Sequence, residues 1–379
     1  MKNKILLLFA TLVLSFGSIQ AQQTLNETID IDGVSRSYIV YIPAIYDGSE
    51  STPLVFNFHG FTQQARNHLL TSAMREVADT AGFILVYPQG SDFFGFPHWN
   101  VGAWTAGSTA NDLGFTEAMI DTLAADYNID LNRVYSCGYS NGGYFSFELA
   151  CQMSDRIAAI GSVGGKMSSQ TLAACLPTHR MPVVTIHGTA DGTVSYSTTA
   201  PSTSTTVPET NEYWITYNDF DPDATVTVLP DTDPSDGSTV ELSVYENDCL
   251  TLEHYKVEGG GHDWVGVRGN MDIDASSVIW NFVSQYDLNG LIDCSNPITN
   301  TSESAFAKTL LLYPNPASDF VTIDIDLKTA IDCRIYSMTG QLMNIQKIGP
   351  RMTTADVSSL TAGVYFLVIG DQRVRFVRA

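Results

Sequence analysis

The chain has 379 residues, 41 of them acidic and 19 basic, which gives a formal net charge of -22. This length predicts two or three domains with room for a sizeable core. The charge argues against nucleic acid as a partner, because binding a polyanion requires clustered Lys and Arg side chains. Acidic surfaces also resist self-association and anionic membranes.

The first 21 residues have the pattern of a cleavable signal peptide. Lys2 and Lys4 precede an apolar run at 5–16, which leads to Ala21, where we expect cleavage. The run is too short to span a bilayer comfortably, and no later run reaches about 18 apolar residues. We therefore expect a secreted protein with no transmembrane segment in its mature form.

Residues 22–293 alternate strand-like and helix-like runs, which is the pattern of a mostly parallel sheet covered by helices. The first predicted elements are a hairpin (25–31 and 35–43), a buried strand (53–60), a helix (65–81) and a strand (83–88). A long aromatic loop (91–104) then interrupts the alternation.

The second half of this region continues the same pattern. It predicts a helix (about 111–127), a strand (133–137), a glycine-rich turn and a helix running through 151. Two runs, 156–165 and 182–188, are predicted as the last parallel strands of the core. Residues 207–257 mix a helix around 212–217 with two or three strands, and a helix at about 272–286 closes the domain.

The rest of the chain has a different composition. Residues 294–308 are polar and rich in Ser, Thr and Asn, which predicts a linker. Residues 309–379 predict a small β-sandwich-like domain with strands at 321–327, 333–338, 363–369 and 373–377.

The sharpest chemical motif is GYSNG at 138–142, which fits G-x-S-x-G. A chance match is common in a chain with 29 glycines, but a match between a strand and a helix is not. In that context the serine occupies a strained turn that exposes its hydroxyl above the sheet of an α/β-hydrolase. We therefore interpret Ser140 as a catalytic nucleophile.

A serine nucleophile needs a histidine base and an acid, in the chain order Ser, Asp, His. His262 is the preferred base, because it follows three glycines in GGGHDW near the end of the domain. Asp191 is the preferred acid, because it follows a buried strand between nucleophile and base. The alternative for Asp191 is a plain turn residue. The remaining histidines are interpreted as structural or out of order: His59, His68, His98, His179, His187 and His254.

An oxyanion hole requires two backbone N–H groups. We expect one from Asn141, directly after the nucleophile, and the other from Phe61, with Thr62 as second choice. Three tryptophans are candidates for lining the substrate pocket, although anchoring a hydrophobic cluster is an equally good interpretation: Trp99, Trp104 and Trp264.

No set of residues has metal-ligand spacing, and serine chemistry needs no ion, so we expect neither a metal nor a cofactor. Six cysteines in an exported chain predict disulfides. We expect Cys151 to pair with Cys175, while a pair between Cys249 and Cys294 stays open. The other two are expected to be free and buried: Cys137 and Cys333.

Several motifs in order resemble the extracellular polyhydroxybutyrate depolymerase and feruloyl esterase group of carbohydrate esterase family 1. They are HGFTQ (59–63), VYPQG (86–90), WN (99–100), NDLGF (111–115), GYSNGG (138–143), LAC (149–151), IHGTAD (186–191) and GGGHDW (259–264). The resemblance covers about 30–285 and implies an acyl-enzyme mechanism with Ser140, Asp191 and His262 as the triad. It also implies a cysteine near 218–220 as the partner of Cys249, and this chain has Asn-Asp-Phe there.

The tail resembles the C-terminal sorting domain of type IX secretion. The resemblance rests on LYPNPASD (312–319), MTGQ (338–341), SSLTAGVYFLVI (358–369) and a basic end with Arg373, Arg375 and Arg378. It implies the type IX machinery as a partner and removal of the tail on export. The alternative is an accessory β-module that binds substrate.

These patterns favour a secreted serine esterase, acting on feruloyl or acetyl groups of plant polysaccharide. Depolymerisation of a polyhydroxyalkanoate is the close alternative, against which stands the lack of a recognisable polymer-binding module. A serine peptidase on the same scaffold and a non-catalytic surface binder are weaker hypotheses.

Overall fold

The computed structural model describes residues 22–247, 249–292, 294, 311–313, 317–324, 330–337, 342–349, 353–361, 363–369 and 372–378. These residues fall into two compact units, one on each side of residue 298. The predicted signal peptide (1–21), most of the predicted linker (294–308) and the MTGQ motif of the tail lie outside the described residues.

The first unit alternates strands and helices, as its sequence predicts. Its strands are β1 (Gln23–Ile31), β2 (Val34–Ile42), β3 (Thr52–Phe58), β4 (Ile84–Pro88), β5 (Ser91–Phe93), β6 (Phe96–His98), β7 (Ile129–Tyr139), β8 (Ala159–Val163), β9 (Val183–Gly188), β10 (Thr225–Val228), β11 (Thr239–Asn247), β12 (Leu250–Glu258), β13 (Tyr286–Asp287) and β14 (Gly290–Leu291). Its helices are α1 (Ala65–Thr71), α2 (Met74–Ala81), α3 (Asp112–Asp126), α4 (Asn141–Gln152), α5 (Ser169–Ala174), α6 (Val207–Tyr217) and α7 (Ala275–Val283), with a 3-10 turn at Ala103–Thr105.

Ten of the described strands form one sheet, in the order β1-β2-β4-β3-β7-β8-β9-β12-β11-β10. The strands from β4 to β12 in this order run parallel, and antiparallel pairs extend the sheet at both sides. A leading hairpin followed by this strand order is the α/β-hydrolase arrangement, so the predicted fold class is confirmed.

One strand prediction is wrong. The strand at 182–188 is not the last parallel one, because β12 pairs parallel to β9, from Leu252 beside Val183 to Val257 beside Gly188. The other edge of β12 pairs antiparallel to β11. The side chains of β12 mostly alternate between buried and half-buried positions. Its sequence therefore resembles that of an antiparallel edge strand and not that of a fully buried parallel strand.

The predicted helix at 65–81 is interrupted. Ala73 has φ 52°, which separates α1 from α2. The hydroxyl of Ser72 lies 2.9 Å from the hydroxyl of Tyr87, and the carbonyl of Ser72 accepts a hydrogen bond from the hydroxyl of Ser276. These contacts to distant residues cap the break, and helical spacing alone contains no sign of them.

Helices cover both faces of the central sheet. All residues of β3 and of β8 are buried. Neighbouring residues of a strand point to opposite faces, and on β8 Gly161 faces Ile279 of α7 whereas Ser162 faces Gly143 of α4. Because the strands are parallel, the loops that follow them meet at one edge of the sheet, where open α/β sheets bind ligands.

Two disulfides brace the first unit. Cys151 is joined to Cys175, with Cα atoms 4.5 Å apart, and Cys249 is joined to Cys294, with Cα atoms 5.6 Å apart. The partner that Cys249 lacks at residues 218–220 is thus supplied by Cys294. Among the described cysteines, Cys137 and Cys333 are free and buried.

The second unit consists of two small sheets. Its strands are β15 (Leu311–Tyr313), β16 (Phe320–Asp324), β17 (Ile331–Ser337), β18 (Leu342–Ile348), β19 (Thr354–Asp356), β20 (Gly363–Ile369) and β21 (Gln372–Arg378). One sheet has the order β15-β16-β19, and the other has the order β18-β17-β20-β21. Val321 and Ile323 from the first sheet share a buried cluster with Ile335, Leu367 and Phe376 from the second, as in the predicted β-sandwich-like domain.

Across the two units, none of the helices in the described ranges combines the length and apolarity needed to cross a membrane.

Candidate active site

Ser140 lies at the sharp turn between the end of β7 at Tyr139 and the start of α4 at Asn141. Its backbone has φ 54° and ψ -118°, a combination that residues other than glycine rarely adopt. The Ser140 N–H donates to the carbonyl of Val163 on β8, 2.8 Å away. The neighbouring strand thus holds the strained turn, which is the geometry that lifts a nucleophilic hydroxyl above the sheet.

Gly142 explains why the turn requires small neighbours. A methyl group built at this position would collide with the carbonyl oxygen of Phe58 and would lie 2.8 Å from that of His59. The first turn of α4 therefore touches the end of β3. Residues 59–62, which we call the candidate oxyanion loop, begin there. Glycine at 142 is what permits this close approach of two backbones.

Asp191 and His262 form a short hydrogen bond. His262 Nδ1 lies 2.6 Å from Asp191 Oδ2, and the Asp191 side chain is fully buried. Asp191 belongs to the loop after β9, residues 189–200, which we call the acid loop. The second carboxylate oxygen of Asp191 accepts the N–H groups of Thr193, at 2.8 Å, and Val194, at 2.7 Å. The carboxylate is thus fixed from both sides.

The environment of Asp191 keeps it ionised. Burial by itself raises the pKa of Asp191, but hydrogen bonds from His187, His262 and the N–H of Val194 outweigh burial and hold its pKa well below the usual range. An ionised carboxylate at Nδ1 fixes the His262 tautomer whose Nε2 is free to accept a proton.

The ring of His262 lies beside the Ser140 turn without a hydrogen bond to it. The His262 ring centroid is 4.8 Å from that of Tyr139, whose hydroxyl donates to the His262 carbonyl at 2.7 Å. A methyl group at Gly164 would be 3.1 Å from His262 Nδ1. Among the described residues no hydrogen bond joins Ser140 Oγ to His262 Nε2. Such contacts often tighten only when substrate binds.

Two backbone N–H groups near Ser140 are available to an oxyanion. Asn141 is the first residue of α4, so its N–H has no partner within the helix. The N–H of Phe61 also donates to none of the described residues. The N–H of Thr62, by contrast, donates to the carbonyl of Pro97 at 2.9 Å. This geometry favours Phe61 over Thr62 as the second donor.

Trp99 fastens the aromatic loop to the site. Its backbone N–H donates to Asn141 Oδ1 at 2.7 Å, and its carbonyl accepts from Asn141 Nδ2 at 3.1 Å. The indole N–H of Trp99 donates to the carbonyl of His59 at 2.9 Å, and the side chain is fully buried. For Trp99 the structure therefore favours the anchoring interpretation over contact with substrate.

The other two tryptophans differ from each other. Trp264 is 6% exposed and donates from its indole N–H to Ser276 Oγ at 3.1 Å, which also favours an anchoring role. Trp104 is half-buried and packs edge-on against Tyr144, with centroids 4.7 Å apart. Trp104 therefore stays the predicted pocket residue.

An aromatic hairpin formed by β5 and β6 was not predicted from the sequence. Phe94 and Phe96 at its tip are 87% and 50% exposed. The ring of Phe96 lies 5.9 Å from that of Phe61, and Pro97 of the hairpin accepts the Thr62 N–H described above. The exposed ring of Phe96 therefore stands next to the candidate oxyanion loop, and the exposed ring of Phe94 lies at the tip of the same hairpin. The phenylalanines of residues 93–96 were the available signal.

A buried ion pair between Arg36 and Asp112, which the sequence did not predict, holds the aromatic loop through Asn100. Arg36 of β2 donates to Asp112 Oδ1 at 2.8 Å, and the other oxygen of Asp112 accepts the N–H of Asn100 at 2.8 Å. Arg36 also lies over the ring of Phe115, 4.2 Å from its centroid. The first turn of α3 thus positions the loop that carries Trp99 and Trp104.

His187 lies at the end of β9, where we expect a histidine to hydrogen-bond locally, and its local contacts include the acid Asp191. Its Nε2 lies 2.8 Å from the carbonyl of Val194 and 3.4 Å from Asp191 Oδ2. His187 therefore supports the acid and the acid loop together. The i, i+4 spacing of His and Asp in HGTAD was the available signal.

Three buried histidines are unsuited to act as a base at neutral pH. Burial lowers the pKa of His59 to about 4, and it lowers the pKa of His68 and His254 to about 3. In the part of the chain that the structure describes, no group of three or more His, Cys, Asp or Glu side chains is arranged to hold a metal.

Two segments of the chain match known families. Residues 36–177 match the family model described as esterase PHB depolymerase. That segment is similar to PHB depolymerase-type esterase domains. It includes the Ser140 turn and the candidate oxyanion loop, whereas Asp191 and His262 lie after the matched residues. Residues 311–378 match the secretion system C-terminal sorting domain, which marks the chain as exported.

Two proteins similar to this chain are named esterases. The chain is 27% identical over 285 residues to a bifunctional acetylxylan esterase/xylanase of Neocallimastix patriciarum, covering 72% of this chain and 36% of that protein. It is 28% identical to feruloyl esterase B of Piromyces equi, covering 43% of this chain and 30% of that protein. The chain thus spans about a third of the length of these two relatives.

A solved structure of an acetyl xylan esterase from Aspergillus awamori is similar to the esterase domain, with a TM-score of 0.48 and 17% identity, over 66% of this chain and 94% of that one.

Proposed function

We propose that the chain is a secreted serine carboxylic-ester hydrolase that works through an acyl-enzyme. The observation that carries the proposal is the 2.6 Å hydrogen bond between His262 Nδ1 and Asp191, beside the strained turn at Ser140. An imidazole oriented in this way presents Nε2 as a general base. Substrate binding brings Nε2 into contact with Ser140 Oγ in this proposal.

In the first half-reaction, Ser140 Oγ attacks the acyl carbon and His262 takes the hydroxyl proton. The N–H groups of Asn141 and Phe61 donate to the oxyanion that forms. Removal of one such donor costs serine hydrolases about 3 to 4 kcal/mol of transition-state stabilisation. His262 then gives its proton to the departing alcohol, which leaves an acyl group on Ser140.

In the second half-reaction, His262 takes a proton from water, and the resulting hydroxide attacks the acyl carbon. The intermediate collapses to release the carboxylic acid, and His262 returns its proton to Ser140. Asp191 stays charged throughout, because its pKa is held low, and its charge stabilises the imidazolium in both halves.

For the substrate we propose feruloyl or acetyl esters of plant polysaccharide. The names of the two relatives support this class, since one is an acetylxylan esterase/xylanase and the other a feruloyl esterase. The exposed ring of Phe96 beside Phe61, on the hairpin that also carries the exposed ring of Phe94, offers an apolar wall to an aryl acyl group.

Polyhydroxyalkanoate depolymerisation is the second candidate, and the name of the matching family model favours it. Initial rates on acetylated xylan, methyl ferulate and films of polyhydroxybutyrate distinguish the two. We expect release of acetate or ferulate and intact films. Clearing of the films without turnover of the first two substrates would favour the depolymerase.

For export we propose a signal peptide at 1–21, a catalytic domain at 22–293, a linker at 294–308 and a sorting domain at 309–379 that engages the type IX machinery. The match of 311–378 to a sorting domain and the change of compact unit near 298 support these boundaries. In a Gram-negative host with this machinery, removal of 309–379 should keep the esterase in the periplasm. Unchanged export of the truncated chain would contradict the assignment.

Ser140→Ala tests the proposed chemistry directly. The variant should fold normally and should lose hydrolysis of 4-nitrophenyl acetate. Ser146→Ala is a matched control, because Ser146 is a buried serine of α4 whose hydroxyl bonds to Ser136 and to the Gly142 carbonyl. Normal turnover by Ser140→Ala would exclude Ser140 as the nucleophile.

A further inference from the structure

Lys166 is a buried lysine that the proposed chemistry does not use. It follows β8 by three residues and is 0% exposed. Its ammonium donates to the backbone carbonyls of Ser195 at 2.8 Å, Thr198 at 2.8 Å and Ala200 at 2.9 Å. All three acceptors belong to the acid loop.

The three contacts use the whole donor capacity of the side chain, since an ammonium has three N–H bonds. No carboxylate lies within ion-pair distance of Lys166 among the described residues. Ser195 is half-buried and Thr198 is exposed, so a neutral side chain of similar size would leave their carbonyls without the donor that ties this part of the loop to the buried Lys166. The acid loop is therefore built around a positive charge.

The acid loop also fixes the carboxylate. The N–H of Val194 donates to Asp191 Oδ1, and the carbonyl of Val194 is bound by His187, as described above. Further along, the hydroxyl of Tyr196 lies 2.8 Å from His254 Nε2. The segment that Lys166 holds is thus continuous with the segment that aims Asp191 at His262.

We propose that Lys166 is a positioning residue: its ammonium holds residues 195–200, and through them Val194 and Asp191, in the arrangement that orients His262. The inference rests on the proposed serine hydrolase chemistry for its effect on rate. Its structural part, that Lys166 fixes the acid loop, stands on the three contacts.

The charge of Lys166 is sensitive to alkaline pH. Burial lowers the pKa of Lys166 to about 8, against the opposing effects of Asp191 and Glu209, the charged groups that act on it. Loss of the proton leaves two N–H donors for three carbonyls. Arginine keeps its charge at every accessible pH, so the proposal predicts that Lys166→Arg keeps its activity at pH values where the wild type declines.

The test compares Lys166→Met and Lys166→Arg with Lys256→Met, a control lysine on β12 that pairs with Glu241 and Glu258. For Lys166→Met we expect kcat for 4-nitrophenyl acetate to fall about 100-fold, the typical effect of a 1 Å misplacement, with KM within about threefold. Lys166→Arg should recover most of kcat. Lys256→Met should match the wild type.

Limited digestion with chymotrypsin provides a readout that does not depend on turnover. At a temperature where all the variants stay folded, chymotrypsin should cut Lys166→Met after Tyr196 at least tenfold faster than it cuts the wild type. Lys256→Met should be cut at the wild-type rate. Wild-type kcat and wild-type cleavage in Lys166→Met would overturn the proposal. If the wild type hydrolyses no ester, the proposed function fails, while the rate of cleavage still decides whether Lys166 holds the loop.

Discussion

The Ser140 turn and the acid loop both position a catalytic candidate, but they are held in different ways. At the turn, backbone packs directly on backbone, since Gly142 touches the carbonyl of Phe58. In the acid loop, side chains from outside the loop hold the backbone: Lys166 reaches it from beyond the end of β8, and His187 from the end of β9. The turn depends on the missing side chain of Gly142. The acid loop depends on the polar side chains of Lys166 and His187, which lie outside it.

The difference determines which site features a sequence can reveal. A turn that requires glycine at a fixed distance from serine leaves a local motif, which is why the nucleophile was identifiable. The contacts of Lys166 with the acid loop span 29 to 34 positions and leave no local pattern. Substitutions at the turn should therefore lower activity by steric clash. Substitutions in the acid loop should lower it by changing how Asp191 is oriented toward His262.

The largest effect is expected at the nucleophile itself. In Ser140→Ala, kcat should fall by on the order of 10⁶-fold, as in other serine hydrolases, with an unchanged Tm because the hydroxyl makes no hydrogen bond among the described residues. The measurement is turnover of 4-nitrophenyl acetate beside a thermal unfolding curve. A fall of less than tenfold would mean that another group attacks the ester.

Asp191→Asn should follow, with kcat reduced by about 10⁴-fold, because an amide fixes the wrong tautomer of His262. The folded geometry should survive, since the Asn oxygen still accepts the N–H groups of Thr193 and Val194. Asp263→Asn is a suitable control, because Asp263 neighbours His262 and pairs with exposed Arg268 instead. Equal losses in the two variants would argue against Asp191 as the orienting acid.

Gly142→Ala tests the steric side of the comparison. The added methyl group should push the turn away from Phe58 and lower kcat about 100-fold, together with a lower Tm. Gly192→Ala, in the acid loop, is matched to it because a methyl group there has no neighbour within 4 Å and should change neither quantity. A normal Gly142→Ala enzyme would show that the turn does not need the close approach.

The smallest expected effect is at the aromatic hairpin. Phe94→Ala should raise KM for methyl ferulate about tenfold, the loss expected for one aromatic contact, and should leave hydrolysis of 4-nitrophenyl acetate unchanged. Val228→Ala removes another exposed apolar side chain, from β10, and serves as the control. Equal KM values for methyl ferulate in Phe94→Ala and wild type would remove the hairpin from the proposed pocket.

The same contrast explains how much of the molecule could be predicted from its sequence. Continuous apolar runs identified β3, β4 and β9, and the motif between β7 and α4 identified the turn. The break at Ala73, the parallel pairing of β12 and the burial of Trp99 depend on partners far along the chain. Side-chain periodicity contains no information about those partners.

The central claim is that Ser140 is activated by the Asp191–His262 pair, and labelling with a fluorophosphonate tests it most directly. Intact mass and peptide mapping should find one adduct per chain, on Ser140, with none in Ser140→Ala and a much slower reaction in Asp191→Asn. An unlabelled wild-type chain, or an adduct on another residue, would contradict the account.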